Sequence, residues 1–289
     1  EIFALAREQG LTVAFEAAVA GGISIIKVLR EGLAGNRINR VAGIINGTSN
    51  YILTDMLENG VDFPESLKEA QRLGYAESDP TFDLDGTDAA HKLAILASIA
   101  YGIPLKFNHV YIEGITNITS EDIGYATELG YRVKHLGLAI RRKDGIELRT
   151  HPCLLRNEEL LASVNGVMNA IQIEGDAVGP TLHYGAGAGS EPTASAVVAD
   201  IVDVVRALTT DPNNRVPHLA FQPQSLSDLP ILNIEQIETP FYLRLDVFDQ
   251  PGVLADITRI LGFQSISIEA ILQKGTSSQG HTVPIVIIT

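Results

Sequence analysis

The run RVKHLGLAIRRKDGIELRTHPCLL, Arg132 to Leu155, narrows the fold more than any other stretch of the chain. Its two halves read as β runs around Asp144-Gly145, a dipeptide suited to the tight turn of an antiparallel hairpin. MNAIQIEG (168–175) and AVGPTLHYG (177–185) have the look of further strands, and SEDIGYATELG (120–130) of a helix near the start of the region. Residues 111–184 are therefore expected to form a strand-rich unit.

The residues before it are mostly helical in pattern. EIFALAREQG places Ile2, Leu5 and Ala6 on one face and stops at Gly10. LTVAFEAAVAGG (11–22) reads as a strand buried on both faces, and SIIKVLREGL as a short helix. VAGIINGTSNYILTDML then predicts strand, turn and helix, with Asn46 or Thr48 as the cap. Asp62 and Pro64 open a helix that ends near Gly74, and GTDAAHKLAILASIAYG runs as a helix to Gly102. Beyond Gly189, EPTASAVVADIVDVVRAL is a long helix, and residues 209–239, with Pro212, Pro217, Pro223 and Pro230, read as a linker.

At 289 residues, 45% of them hydrophobic, the chain can fill two compact domains and a small third module. A net charge of −14 with no basic face argues against a nucleic-acid partner. No apolar run reaches the roughly 18 residues of a membrane span. Cys153 is the only cysteine, which excludes an intrachain disulfide and fits a cytoplasmic location. The chain opens at Glu1 inside a helical pattern and closes on PIVIIT, so both ends read as cut.

LGYAESDPTFDLDGTDAAHK, Leu73 to Lys92, collects Glu77, Asp79, Asp83, Asp85 and Asp88 ahead of one lysine. A calcium loop of the EF-hand kind matches poorly, because Thr81 stands at the first acidic position and Lys92 at the last. A surface reading makes Asp88 and Lys92 an i,i+4 pair and Asp85 a helix cap. A chemical reading starts from Ala89, Ala90, Leu93, Ala94, Ile95, Leu96 and Ala97, which make the helix apolar almost all round. A lysine buried there needs carboxylate partners, and Asp88 lies one turn earlier on the same face. An ammonium so held can give a proton to an oxygen that is gaining negative charge.

Taken with NGTSNYIL (46–53), EAAVAGG, IKVLREGL and GAGAGSEPTASAVVADIVDVVR (185–206), this segment closely resembles the signature of homoserine dehydrogenases. The resemblance spans essentially the whole chain. It implies interconversion of L-homoserine and L-aspartate 4-semialdehyde with NAD or NADP, on the route to threonine and methionine. Lys92 would be the acid/base and Asp88 would orient it. Glu77 would bind the substrate's amino group with Asp83 nearby, and Gly47, Thr48 and Tyr75 would complete the substrate site. Gly185, Gly187 and Gly189 would approach the cofactor, and main-chain carbonyls of Glu16, Val19, Gly21 and Ile23 would hold a sodium ion.

The implied architecture mixes α/β and α+β parts. Residues 1–20 and 185–208 would be the remnant of a Rossmann-type nucleotide domain, and 21–184 a mixed-sheet catalytic and dimerisation domain. No G-x-G-x-x-G turn opens the chain, and the family's second important lysine would lie upstream of Glu1, so productive cofactor binding is not expected of these residues alone. Residues 240–289 run strand, Asp249-Gln250-Pro251-Gly252 turn, helix, strand, Gly/Ser turn, strand. That order resembles the ferredoxin-like ACT module without its last helix and strand, and implies a threonine effector and a homodimer or homotetramer. A catalytically silent amino-acid sensor and a dehydrogenase of a related amino acid are the alternatives. A sensor would not need Lys92 and Asp88.

Overall fold

A computed structural model describes residues 2–211, 215–274 and 282–289. Pro212 of the proline-rich stretch and the Gly/Ser turn expected near the end of the chain lie outside the described residues.

The strand-rich region forms a six-stranded mixed sheet in the order β2-β4-β3-β1-β5-β6. Its members are β1 (Ile38–Ile44), β2 (Tyr111–Ile112), β3 (Tyr131–Arg141), β4 (Ile146–Arg156), β5 (Met168–Gly175) and β6 (Gly179–Ala186). All pairings are antiparallel except β2 with β4. The β3–β4 hairpin pairs Arg141 with Ile146, and Arg142 N–H donates to Gly145 C=O at 2.8 Å. The tight turn is therefore Lys143-Asp144, one residue earlier than expected. Gly145 sits on the strand side because the Pro230 carbonyl would lie 2.5 Å from any Cβ there.

Helix α6 (Thr87–Tyr101) packs on one face of this sheet, and alanines on its buried side let it approach closely. Leu93, Leu96 and Ile99 meet Val41, Ala139, Leu148 and Ile171 in that core, together with α2 (Ile25–Lys27) and the π-turn that continues it. A second core joins α3 (Gly47–Asn59), α4 (Phe63–Arg72) and α7 (Ser120–Glu128) through Ile52, Met56, Ala70, Ile123 and Ala126. The short α5 (Thr81–Leu84) completes this group, with Leu84 buried.

The strand expected over residues 11–22 does not form. A strand needs a neighbour for its peptide groups, and here those groups turn to α8 (Ser190–Ala207) and the segment after it. Val13 N–H donates to His218 Nε2 at 3.1 Å and Glu16 N–H to Asp200 Oδ2 at 2.9 Å. A 3₁₀ turn occupies Glu16–Ala18. α1 (Ile2–Glu8) leaves Ile2 and Leu5 exposed.

The proline-rich stretch lies along the sheet as a strap. Ile146 N–H donates to Pro230 C=O, Leu232 N–H to Ile146 C=O, and Ser227 N–H to Gly102 C=O. The tail then forms a three-stranded antiparallel sheet in the order β7-β9-β8, from β7 (Tyr242–Phe248), β8 (Ala270–Gln273) and β9 (Thr282–Ile288), with α9 (Val253–Phe263) between β7 and β8. It is tied to the larger sheet-and-helix unit at α7. Tyr242 donates to Asp122 at 2.8 Å, and Arg244 reaches Thr119 at 3.0 Å and Glu121 at 3.2 Å.

Candidate active site

The acidic segment and the NGTSN turn meet at the N-terminal ends of α3 and α6. Asn46, in extended conformation, caps α3 by accepting from Ser49 N–H at 2.8 Å. Its amide nitrogen faces the other way and donates to Asp83 Oδ1 at 2.8 Å and to Asp88 Oδ2 at 2.9 Å. The same Asp88 oxygen accepts from Lys92 Nζ at 2.6 Å, and Lys92 also donates to the Ile45 carbonyl at 3.2 Å. Thr48 Oγ1 lies within hydrogen-bond distance of Asp83 Oδ2, 3.0 Å, and of the Tyr75 carbonyl, 2.8 Å.

Asn46 thus joins two carboxylates that would otherwise repel each other, and Lys92 balances one of them. The pair is accessible: the Lys92 and Asp88 side chains are 23% and 19% exposed. Burial on the α6 side limits water, so their ion pair is stronger than an open surface pair while a small molecule can still reach Nζ. The surface-pair reading does not account for Asn46, Asp83 and Thr48 converging on the same two residues.

The remaining expected residues divide. Gly47 lies against Val167, whose carbonyl would be 2.9 Å from a Cβ, so the turn has no room for a side chain. The Tyr75 ring packs at a tilt against Tyr51 with centroids 4.9 Å apart, and Tyr75 joins the cluster through its carbonyl. Glu77 is exposed, and its carboxylate has no hydrogen bond or ion pair among the described residues. Asp79 holds Thr81 and Asp85 holds Thr87 N–H, which is loop and helix-start structure.

Gly185 lies in β6, Gly187 just beyond it, and Gly189 (φ +119°) caps α8. A Cβ on Gly187 would fall 2.1 Å from Asn169 Nδ2. Asn169 is fully buried, and its Oδ1 has no hydrogen-bond partner among the described residues. The first turn of α8 has no side-chain cap.

Glu16 is buried, and its carboxylate accepts from Ile26 N–H at 2.8 Å and Lys27 N–H at 3.0 Å. Burial pushes its carboxyl above the ordinary range, against the pull of those two bonds. Its carboxylate is thus committed to α2, which leaves only its carbonyl for an ion. Val19, Gly21 and Ile23 lie on the turn that follows, where Ile23 N–H donates to Ala20 C=O and Gly21 touches Gly187. Among the described residues no group of three or more His, Cys, Asp or Glu side chains is arranged to hold a metal.

A family model described as homoserine dehydrogenase matches residues 25–202. That span covers every member of the Lys92 cluster. The chain belongs to the homoserine dehydrogenase family. A homoserine dehydrogenase of Pseudomonas aeruginosa is 63% identical over 289 residues, all of this chain and 67% of its own length. The crystal structure of a homoserine dehydrogenase from Thiobacillus denitrificans superposes with a TM-score of 0.94 at 62% identity, covering 99% of this chain and 65% of that one. A hyperthermophilic archaeal homoserine dehydrogenase in complex with NADPH matches at TM-score 0.62 and 30% identity, over 72% of this chain and 60% of that one. The chain therefore spans roughly two thirds of the length of these homoserine dehydrogenases, and its mixed α/β fold is theirs. No helix among the described residues is long and apolar enough to cross a membrane.

Asn46 is the site residue that sequence reasoning assigned only a capping role. The available signal was an Asn between a strand and Gly-Thr, where one amide can cap a helix with its oxygen and face the strand end with its nitrogen.

Proposed function

We propose that this chain carries the catalytic part of an NAD(P)-dependent homoserine dehydrogenase, interconverting L-homoserine and L-aspartate 4-semialdehyde in threonine and methionine biosynthesis. The observation that supports it most is Lys92 Nζ held at 2.6 Å by Asp88 and backed by Asn46, Asp83 and Thr48. When the aldehyde is reduced, Lys92 gives a proton to the carbonyl oxygen as negative charge builds there. In the oxidising direction its amine takes the hydroxyl proton. Asp88 orients Lys92, and Asp83 offers an acceptor to the substrate's ammonium group. Glu77, an exposed residue of the same loop, is proposed to join Asp83 in holding that ammonium.

The nicotinamide cofactor supplies or accepts the hydride. The chain offers one edge of a site for it: no side chain caps the start of α8, where the Ser190 and Glu191 peptides could face an anion, and the Asn169 amide lies against the glycine turn 185–189. The main-chain turn at Glu16, Val19, Gly21 and Ile23 is the proposed sodium site. We assign residues 1–20 and 185–208 to the nucleotide-binding domain, 21–184 to the catalytic domain, 209–239 to the connection and 240–289 to an ACT-like regulatory module. The β7-β9-β8 order with β7 and β8 parallel is consistent with that module, and threonine is its proposed effector. A homo-oligomer in the cytoplasm is the proposed setting. The test is homoserine-dependent reduction of NAD or NADP by the complete protein that bears this chain; no reduction with either cofactor would refute the assignment.

A further inference from the structure

Among the described residues Lys134 is the largest ionisable side chain fully enclosed in the fold, at 1% exposure, and it makes no ion pair with a carboxylate there. Its Nζ donates instead to three neutral oxygens: Val164 C=O at 2.5 Å, Asn165 Oδ1 at 3.0 Å and Asn50 Oδ1 at 3.3 Å. A buried ammonium in such a cage is costly unless each donor is used. Lysine and the Asn50 amide together fasten one segment. Asn50 Nδ2 lies within hydrogen-bond distance of Val164, Gly166 and Met168 carbonyls, between 2.9 and 3.1 Å. Thr54 accepts from Gly166 N–H, and Asn165 donates to Glu58.

That segment supports the candidate site. Asn50 stands one helical turn after Asn46, and its N–H donates to the Asn46 carbonyl. The Val167 carbonyl is pressed against Gly47, between the cap and Thr48. Asn46 and Thr48 hold Asp83 and Asp88.

We propose that Lys134 is a positioning residue: its ammonium ties segment 164–168 to α3 and thereby fixes the Asn46–Thr48 turn that sets the two site carboxylates. The geometry of the tie stands by itself, and its role in catalysis rests on the dehydrogenase reading above. The charged and titratable groups around it are few. Arg132 lies on the same face of β3, Glu58 comes from α3, and Cys153 is opposite on β4 with a thiol that burial holds at about 12. Burial, then Arg132, push Lys134 down to about 8, and Glu58 opposes them. The tie therefore weakens within an accessible alkaline range.

The sign distinguishes this role from a purely structural one. Because the folded chain binds fewer protons than the unfolded chain between about 8 and the ordinary 10.5, deprotonation relieves the burial cost, and global stability rises with pH across that window. The turn should loosen over the same window.

Two measurements on this chain test it together: the Lys134 ε-carbon resonance against pH, and amide exchange of 47–50 and 164–168 corrected for intrinsic rate. Protection at both segments is expected to fall about tenfold as Lys134 titrates. Asn165→Asp, which adds a carboxylate beside Nζ, should move both midpoints up by about one pH unit or more, and Glu58→Gln should move both down. In the complete protein kcat/KM for homoserine should fall over the same range, with its midpoint moved by the same two variants. Protection at 47–50 that ignores the Lys134 titration, or midpoints that neither variant moves, would overturn the proposal. If protection follows Lys134 but the complete protein does not turn over homoserine, the dehydrogenase reading fails and the tie stands.

Discussion

Removing the Asn46 amide should expose how the site holds two carboxylates together. Asn46→Ala deletes the α3 cap, worth about 1 kcal/mol, and two hydrogen bonds to charged acceptors, Asp83 and Asp88. Bonds of that kind contribute about 1.5–3 kcal/mol each. Asp88 is partly exposed and keeps Lys92, so the low end applies, and the expected loss is about 4 kcal/mol in total. Asn46→Asp keeps the cap acceptor but places a third carboxylate against the other two. Repulsion then favours a shared proton, raising a carboxylate pKa in the folded state. Its stability is therefore highest at acid pH and falls as pH rises through that folded-state value. Urea unfolding of wild type and both variants at pH 5 and pH 8 reads these effects. A loss of only about 1 kcal/mol in Asn46→Ala, with Asn46→Asp indifferent to pH, would show that Asn46 is a helix cap and nothing more.

Two further outcomes follow from buried groups. Burial pushes the His135 imidazole down to about 4, with its Nε2 on the Glu113 carbonyl at 2.9 Å. Its folded value lies below the ordinary 6.5, so the unfolded chain takes up the proton first and stability falls as pH drops from 6.5 towards 4, by about 3 kcal/mol. His135→Gln should remove that part of the pH dependence in chemical denaturation, and an unchanged acid slope would contradict it. Gly187→Ala would drive a methyl into the Asn169 amide; we expect a loss of about 1–3 kcal/mol in thermal or urea unfolding, and wild-type stability would show that the contact relaxes freely.

The sequence was most legible where one local pattern governs the outcome. Two β runs around a turn dipeptide located β3 and β4, and the apolar circumference of α6 marked Lys92 as an unusual lysine. Less was legible where a partner distant in sequence decides. The Val13 and Glu16 peptide N–H groups are met by His218 and Asp200, far away in sequence, so an apolar run that looked like a strand has no ladder. Gly145 was read as the turn residue, whereas the strap at Pro230 is what leaves no room for its side chain. Asn46 was read as a cap because capping is local, while its bonds to Asp83 and Asp88 depend on α5 and α6 folding against it. Lys134 had a visible signal, standing in the apolar stripe of Leu136 and Leu138 along β3, but the three oxygens that hold it come from α3 and the segment after β4.

The most direct test of the central claim is the turnover of Lys92→Ala in the complete protein, measured as NAD(P)H formed from L-homoserine alongside wild type. With Nζ held by Asp88 and Ile45 as the proton carrier, kcat should fall by about 10²-fold or more, while the folded state persists by circular dichroism. Turnover within a few-fold of wild type would return Lys92 and Asp88 to an ordinary i,i+4 ion pair and leave the reaction without its acid.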